Sequence, residues 1–284
     1  MISAVHRAVV IGAGHMGTAI IAGLREKAPE LPLDVVEIAE SRIRLMREEF
    51  GIRTRSHYEP QPGDTVILAV QPQQFQEFAA AQRDGAFKDA LVVSVMAGVG
   101  IAAITSLLGT SRVVRAIPNT PSQVSQGMTV VCPGADVTRA ERERAERVLS
   151  VIGRVLTTAD EALIDDATAL CGGGPAFVAH IADAFAGFAV KAGFHPDQAR
   201  LMVCQVLRGT ADLLESTGRD PQELCREVTT PGGTTERGLS HMREQGLRDV
   251  LVEALGRSAN RSRELGAIGR TPSADTRTGG GQGR

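Results

Sequence analysis

The sequence predicts an open, mostly parallel α/β sheet of the doubly wound kind, followed by an all-α block. Three observations lead there. Short β-branched segments alternate with helix-patterned ones through the first part of the chain. They are nearly continuous in apolar residues, as strands buried on both faces must be. A glycine-spaced turn separates the first strand from the first helix. After about residue 160 the strand-like segments stop and only helical periodicity continues.

Strands are expected at Ala8–Ile11, Leu33–Glu37, Thr65–Val70, Leu91–Val95, Val113–Ile117, Met128–Cys132 and Arg154–Leu156. Helices between them are expected at Met16–Lys27, Ser41–Phe50 and Ile101–Leu108, which implies right-handed crossovers. A further helix over Arg139–Ile152 opens on Thr138-x-x-Glu141, the spacing of a reciprocal cap. Its residues Ala145, Val148, Leu149 and Ile152 line one face. The helical block reads as Glu161–Leu170, Ala176–Ala192, Pro196–Leu214, Pro221–Val228, Thr235–Glu244 and Leu247–Leu265. Pro196 and Pro221 stand at favoured first helical positions, and Asp220 is a good N-cap. The domains expected are 1–160 for the sheet and 161–270 for the helices. Residues 271–284, rich in Gly, Thr and Arg without periodicity, are expected to be a disordered tail.

Composition narrows the function classes. The chain has 284 residues, 43% hydrophobic and 23% charged, with a net charge of −2. A buried core is expected, and neither a nucleic-acid partner nor an anionic membrane surface is. There is no Trp, one Tyr and eight Phe, too few for a base-stacking platform. Only three of the 31 basic residues are Lys: Lys27, Lys88 and Lys191. The four cysteines, at 132, 171, 204 and 225, form no C-x-x-C pair, so no metal site or dithiol motif is expected. Free thiols, and a first strand too close to the N-terminus to leave room for a secretory leader, predict a cytoplasmic protein. Ala176–Val190 is the most apolar long stretch, but it carries His180 and Asp183 and is shorter than 18 residues. It reads as a buried helix of a soluble protein with His180 in the core, not as a membrane span. Its Ala and Gly residues permit close helix–helix approach, and the block's apolar face is broad enough to predict a homodimer through the C-terminal helices.

Gly12-x-Gly14-x-x-Gly17 has the spacing of a dinucleotide-binding fingerprint of the Rossmann type. Gly12 allows the tight turn, Gly14 lets the backbone approach a pyrophosphate, and Gly17 lets helix and strand pack closely. His15 and Met16 belong to the same cradle, His15 through its backbone rather than its ring. Glu37, twenty positions after Gly17, stands where a carboxylate accepts hydrogen bonds from a ribose 2′-hydroxyl. A carboxylate there repels a 2′-phosphate and favours NADH, although Arg42 and Arg44 lie close enough to pair with such a phosphate. Three more loops follow strand ends, where ligands of such sheets bind. They are Ala69-Val70-Gln71-Pro72, Met96-Ala97-Gly98-Val99 and Arg115 through Pro121, in which Asn119 either offers a ligand a donor and an acceptor or caps the turn. Arg115 either braces that last loop or pairs at the surface. Two glycine-rich turns, Cys171-Gly172-Gly173-Gly174 and Thr230-Pro231-Gly232-Gly233-Thr234-Thr235, precede helices. Each offers backbone N–H groups to a carboxylate or simply ends one helix and caps the next.

Taken together, these motifs resemble the pyrroline-5-carboxylate reductase family, in family order from residue 8 to about 265. The resemblance also rests on Asp165, Thr168-Ala169-Leu170 and Pro175-Ala176, and the Thr-Pro-Gly-Gly-Thr-Thr segment is its most specific part. It implies an N-terminal Rossmann domain, a helical dimerisation domain and an assembly of dimers or larger. It also implies NAD(P)H-dependent reduction of Δ1-pyrroline-5-carboxylate to proline, the last step of proline synthesis. Thr230, Gly232, Gly233 and Thr234 inherit the hold on the substrate carboxylate, with Cys171 beside the substrate. Thr235 inherits the hydroxyl near the imine nitrogen. Ala69, Val70, Gln71, Pro72, Ala97, Gly98 and Asn119 fall on the cofactor side. The sequence departs from the family at Gln71, usually Lys; at Cys171 and Gly173, usually Ser; at Phe177, often Tyr; and at Ile117, usually Met.

Those departures make the inherited site less polar and motivate an alternative: a paralogue reducing another five- or six-membered cyclic imine in secondary metabolism. A catalytically silent dinucleotide-binding protein is the alternative outside enzymology. A β-hydroxyacid dehydrogenase would need a catalytic lysine, and the one candidate, Lys191, reads as a helix-end charge.

Overall fold

The computed structural model describes residues 7–268. The expected tail at 271–284 lies outside the described residues. Residues 8–157 carry a seven-stranded sheet of β1 Ala8–Ile11, β2 Leu33–Val36, β3 Thr65–Leu68, β4 Leu91–Ser94, β5 Val113–Ile117, β6 Gly127–Pro133 and β7 Gly153–Thr157. The strand order is β2-β1-β3-β4-β5-β6-β7, all parallel except the β5–β6 pair. Chain order reverses between β2 and β3, on either side of β1, so the crevice beyond the carboxyl ends of β1 and β3 is the switch point where such sheets bind ligands.

Strand residues alternate between two apolar layers. Ala8, Val10, Ile67, Leu91 and Val93 face one, and Val9, Ile11, Val66, Leu68 and Val92 the other. The first layer is closed by α1 (His15–Lys27) and α5 (Arg139–Ser150), through Ile20, Ile21, Leu24, Ala145, Val148 and Leu149. Burying each large aliphatic side chain among these stabilises by about 1.5–3 kcal/mol. The second layer is closed by α3 (Phe75–Ala80) and α4 (Ile101–Leu108), with α2 (Glu40–Phe50) following β2. The six-residue α3 has no counterpart among the expected helices, because its single turn of apolar residues, Phe75 and Ala79, is too short to show a period. At α5 the expected reciprocal cap is present: Glu141 N donates to Thr138 Oγ1, and Thr138 N donates to Glu141 Oε2 at 2.9 Å.

The chain continues as α6 (Leu163–Ala167), α7 (Gly174–Lys191), α8 (Pro196–Thr217), α9 (Pro221–Glu227), α10 (Thr234–Glu244) and α11 (Leu247–Ile268). The helix expected over Glu161–Leu170 is shorter and runs into a wide π-type turn at Thr168–Gly172. There the Cys171 carbonyl leaves the helical ladder and accepts from Asn119 Nδ2 at 3.1 Å. Pro196 and Pro221 occupy first helical positions as expected, with Asp220 accepting from Gln222 N at 2.8 Å.

Compact packing divides the chain into two units. One runs to Cys171 and resumes at Ala259; the other is Gly172–Ser258. In the second unit the expectation of a buried Ala-rich helix is overturned. Only Ala189 of α7 is buried, His180 is exposed instead of in a core, and Phe188 is 76% exposed. The reason is that α7 packs chiefly against α8, which leaves most of its surface uncovered among the described residues. Leu163–Lys191 is long and apolar enough to cross a membrane, judged by length and composition alone.

Candidate active site

In the sheet unit the glycine turn is built as the fingerprint requires. Gly12 has φ +96°, and a Cβ there would lie 2.7 Å from the Ala69 carbonyl oxygen. A Cβ at Gly17 would lie 2.0 Å from the Gly12 carbonyl oxygen, so helix and strand approach more closely than any side chain allows. Gly14 is different: its Cβ would meet nothing within 4 Å. Packing does not demand that glycine, whereas a ligand lying against the backbone would. The first turn of α1 contains no acidic residue, and Gly14 offers no side chain to cap it. The amides following Gly14, those of His15 and Met16 among them, therefore point a positive helix end at the crevice. His15 is exposed, while Met16 packs against the core. These features fit a dinucleotide's pyrophosphate.

Glu37 lies just past β2, and its carboxylate is fixed by three backbone donors. Oε2 accepts from Ala13 N at 2.7 Å, and Oε1 accepts from Ile38 N at 2.7 Å and Ala39 N at 2.8 Å. A negative charge is thus held at the rim of the glycine turn, leaving Oε2 free to accept once more. Arg42 is half-buried and Arg44 exposed on α2.

The β3 loop touches the same turn. Ala69 N donates to the Ile11 carbonyl at 2.8 Å, Val70 is half-buried, and Gln71 and Pro72 are exposed at the start of a short 3₁₀ turn, Pro72–Gln74. After β4, Met96 is buried and Ala97 exposed, and Gly98 takes φ +73° with a Cβ position 3.6 Å from Leu265 and from Gly266 N in α11. After β5, Asn119 acts as a tie: Nδ2 donates to the Cys171 carbonyl, and Oδ1 accepts from Met128 N at 2.9 Å. It does not cap the turn that follows it. Cys171 is half-buried, and burial pushes its thiol above the ordinary range.

Arg115 does neither of the things open to it in the sequence. It is 5% exposed and donates from Nη1 to Glu161 Oε1 at 3.2 Å and from Nη2 to Asp165 Oδ1 at 3.1 Å. Its partners lie 46 and 50 positions away, which no local signal reveals.

The second unit carries the threonine–glycine loop. Gly232 has φ +72°, Gly233 N donates to the Thr230 carbonyl at 2.9 Å, and a Cβ at Gly233 would lie 2.3 Å from Thr230 Oγ1. Gly233 precedes α10 without a side-chain cap, so the amides of Thr234 and Thr235 face outward from a helix N-terminus. Thr230, Thr234 and Thr235 are exposed, and the Thr235 hydroxyl has no partner among the described residues. Glu236, unremarked in the sequence, accepts from Gly232 N at 2.6 Å through Oε2. An acid at the third helical position is a capping signal that could have drawn attention to it. No cluster of three or more potential metal ligands exists among the described residues.

A family model described as pyrroline-5-carboxylate reductase dimerisation matches residues 161–265, and one described as NADP oxidoreductase coenzyme F420-dependent matches residues 7–98. The chain is 33% identical over 263 residues to pyrroline-5-carboxylate reductase of Pseudomonas aeruginosa, covering 91% of this chain and 96% of that one. It is 31% identical over 261 residues to that of Synechocystis, covering 90% and 97%. A solved pyrroline-5-carboxylate reductase from Coxiella burnetii is 29% identical and superposes with a TM-score of 0.81, covering 92% of this chain and 98% of that one. Similarity of this extent, running through both the glycine fingerprint and the threonine–glycine loop, places the chain in the pyrroline-5-carboxylate reductase family.

Proposed function

We propose that this chain reduces the C=N bond of Δ1-pyrroline-5-carboxylate to give proline, using NAD(P)H with NADH preferred. The reading is carried by two features that each unit builds for itself: a ligand-ready glycine turn, where Gly14 is free of packing, and a threonine–glycine loop at the start of α10. The reduced nicotinamide supplies a hydride when bound. The chain's part is binding and orientation. The α1 amides hold the pyrophosphate, and Ala69, Val70, Gln71, Pro72, Ala97, Gly98 and Asn119 shape the nicotinamide side. Thr230, Gly232, Gly233 and Thr234 hold the substrate carboxylate, with Cys171 beside it. The Thr235 hydroxyl would donate a hydrogen bond to the imine nitrogen and relay to it, from solvent, the proton that balances the hydride a bound dinucleotide would supply. Catalysis by positioning of this kind needs no nucleophile.

NADH preference rests on Glu37. Its carboxylate is preset by Ala13, Ile38 and Ala39, so it meets a ribose 2′-hydroxyl as an acceptor and a 2′-phosphate as a like charge. The active form is a homodimer through the C-terminal helices, open to further assembly of dimers, and is cytoplasmic. The domain division is 1–160 and 161–270. A second reading, reduction of another five- or six-membered cyclic imine, is favoured by the exposed, uncharged Gln71 in the β3 loop and by a thiol at Cys171.

The test is dinucleotide oxidation, with NADH and NADPH in turn, on Δ1-pyrroline-5-carboxylate and on a six-membered cyclic imine carboxylate. Turnover on the first, with NADH the better cofactor, is expected. Turnover on the six-membered compound alone selects the second reading. Cofactor binding without turnover on either leaves a dinucleotide-binding protein.

A further inference from the structure

We infer that Arg115 is a positioning residue for the cofactor, acting through the loop between β4 and α4. The inference rests on the proposed assignment of that loop to the nicotinamide side. Arg115 is buried in β5 and bonds two carboxylates, and each of those holds a different piece of chain. Glu161 Oε1 also accepts from Ile101 N at 2.8 Å, the first amide of α4, and lies 3.3 Å from a Cβ position on Gly100. It therefore pins the end of the Met96–Gly100 loop. Asp165 Oδ1 also accepts from Ser262 Oγ at 2.8 Å, and Ser262 is buried in α11. One turn further along α11, Leu265 and Gly266 stand against Gly98, the middle of the same loop. One guanidinium thus fixes the loop twice, at its helix end through Glu161 and at its crown through Asp165, Ser262 and the last turns of α11.

A buried ion pair is weak evidence for stability, since desolvating three charges offsets much of their attraction. Arg115 Nε is also buried with no partner among the described residues. A group of apolar residues would pack β5 against α6 without that cost. What it could not do is hold four chain segments in one fixed geometry, because apolar contacts have no direction and charge-assisted hydrogen bonds do. The backbone around Gly98, at φ +73°, needs such fixing, since glycine alone leaves it free to move.

The test compares Glu161→Ala, Glu161→Gln, Ser262→Ala and Arg115→Met in the full chain. It reads the KM of NADH, the KM of the imine, kcat, the thermal midpoint and NADH affinity by the coenzyme's own fluorescence. Glu161→Ala is expected to raise the KM and Kd of NADH about tenfold, the scale of one charge-assisted hydrogen bond. The KM of the imine should stay within about twofold, because positioning acts on one ligand. Glu161→Gln keeps an acceptor for Ile101 N and should recover most of the loss, and Ser262→Ala should shift the same constants less. If Arg115→Met fails to fold, the Glu161 pair still decides, since that side chain is partly exposed. A lowered thermal midpoint with an unchanged KM and Kd for NADH in Glu161→Ala would overturn the inference, as would a change confined to the imine's KM. A wild-type chain that binds neither dinucleotide would instead overturn the parent reading.

Discussion

The two units bury their apolar residues in opposite ways. In the sheet unit Ala8, Val9 and Val10 are fully buried, and both faces of the sheet are closed by helices of the same chain. In the helical unit Phe185, Phe188, Leu201, Val206, Val250 and Val252 stand exposed on α7, α8 and α11. Large exposed apolar surfaces mark interaction sites, and the dimerisation model that matches residues 161–265 names the partner as another copy. The lesson is that a hydrophobic run predicts burial but not what buries it. The sheet unit completes its core alone; the helical unit leaves large apolar side chains exposed within one chain.

The contrast is broken most directly on α7. Phe188→Asp puts a charge on the exposed apolar face of α7; with the dimer formed through that face, as proposed, it should weaken the dimer at least about a hundredfold, since an aromatic is lost from each copy. Sedimentation at micromolar concentration should show monomer, with the sheet unit's NADH binding retained. An unchanged dimer would place the interface elsewhere.

Within the sheet unit the glycine turn separates packing from binding. Gly17→Ala forces a Cβ to within 2.0 Å of the Gly12 carbonyl oxygen. It should lower stability by about 1–3 kcal/mol and abolish measurable NADH binding. Gly14→Ala meets no protein atom, so the thermal midpoint should hold while NADH binding weakens. Equal losses of stability in both variants would argue that the turn serves the fold alone.

A smaller effect is expected at the rim. Glu37→Gln keeps the side chain's length and removes its charge. It should shift the ratio of kcat/KM for NADPH over NADH upward by about tenfold, equivalent to roughly 1.4 kcal/mol. No shift would transfer cofactor choice to Arg42 and Arg44.

The smallest effect compares thiols in the two units. Burial raises Cys171 by disfavouring its thiolate, so at neutral pH it should alkylate more slowly than an ordinary thiol and gain rate only at higher pH. Cys204 and Cys225, exposed in the helical unit, should react readily in the Phe188→Asp monomer. Protection of Cys204 in the wild-type protein alone would map the cover onto α8.

Much of the fold and of the glycine turn is legible in the residues alone. The strand starts at Ala8, Leu33, Thr65, Leu91 and Val113, the α5 cap at Thr138 and Glu141, and the proline starts of α8 and α9 are all local patterns spanning a few residues. The glycine turn is legible for the same reason, because the positive φ of Gly12 and the contact of Gly17 with the Gly12 carbonyl arise within one strand–turn–helix unit, although the Ala69 oxygen that also crowds Gly12 comes from the neighbouring strand's end. The partners of Arg115 are not, and neither is the double tie of Asn119 to Met128 and Cys171. Glu236 escapes a reading of the sequence because a cap that reaches back to Gly232 resembles any surface acid until the backbone is seen.

The sequence by itself determined most of the order of elements, the glycine-spaced turn after β1 and the glycine–threonine turn before α10, because each is written in spacing and residue size over short range. Only the tertiary structure decided that β6 runs against β5, that Glu37 is anchored to Ala13, and that Ser262 bonds a residue 97 positions earlier. It also decided that Phe185 and Phe188 of α7 stand exposed among the described residues. These depend on which distant surfaces meet, and hydrophobic burial, being non-directional, leaves that choice to the packing of the whole chain.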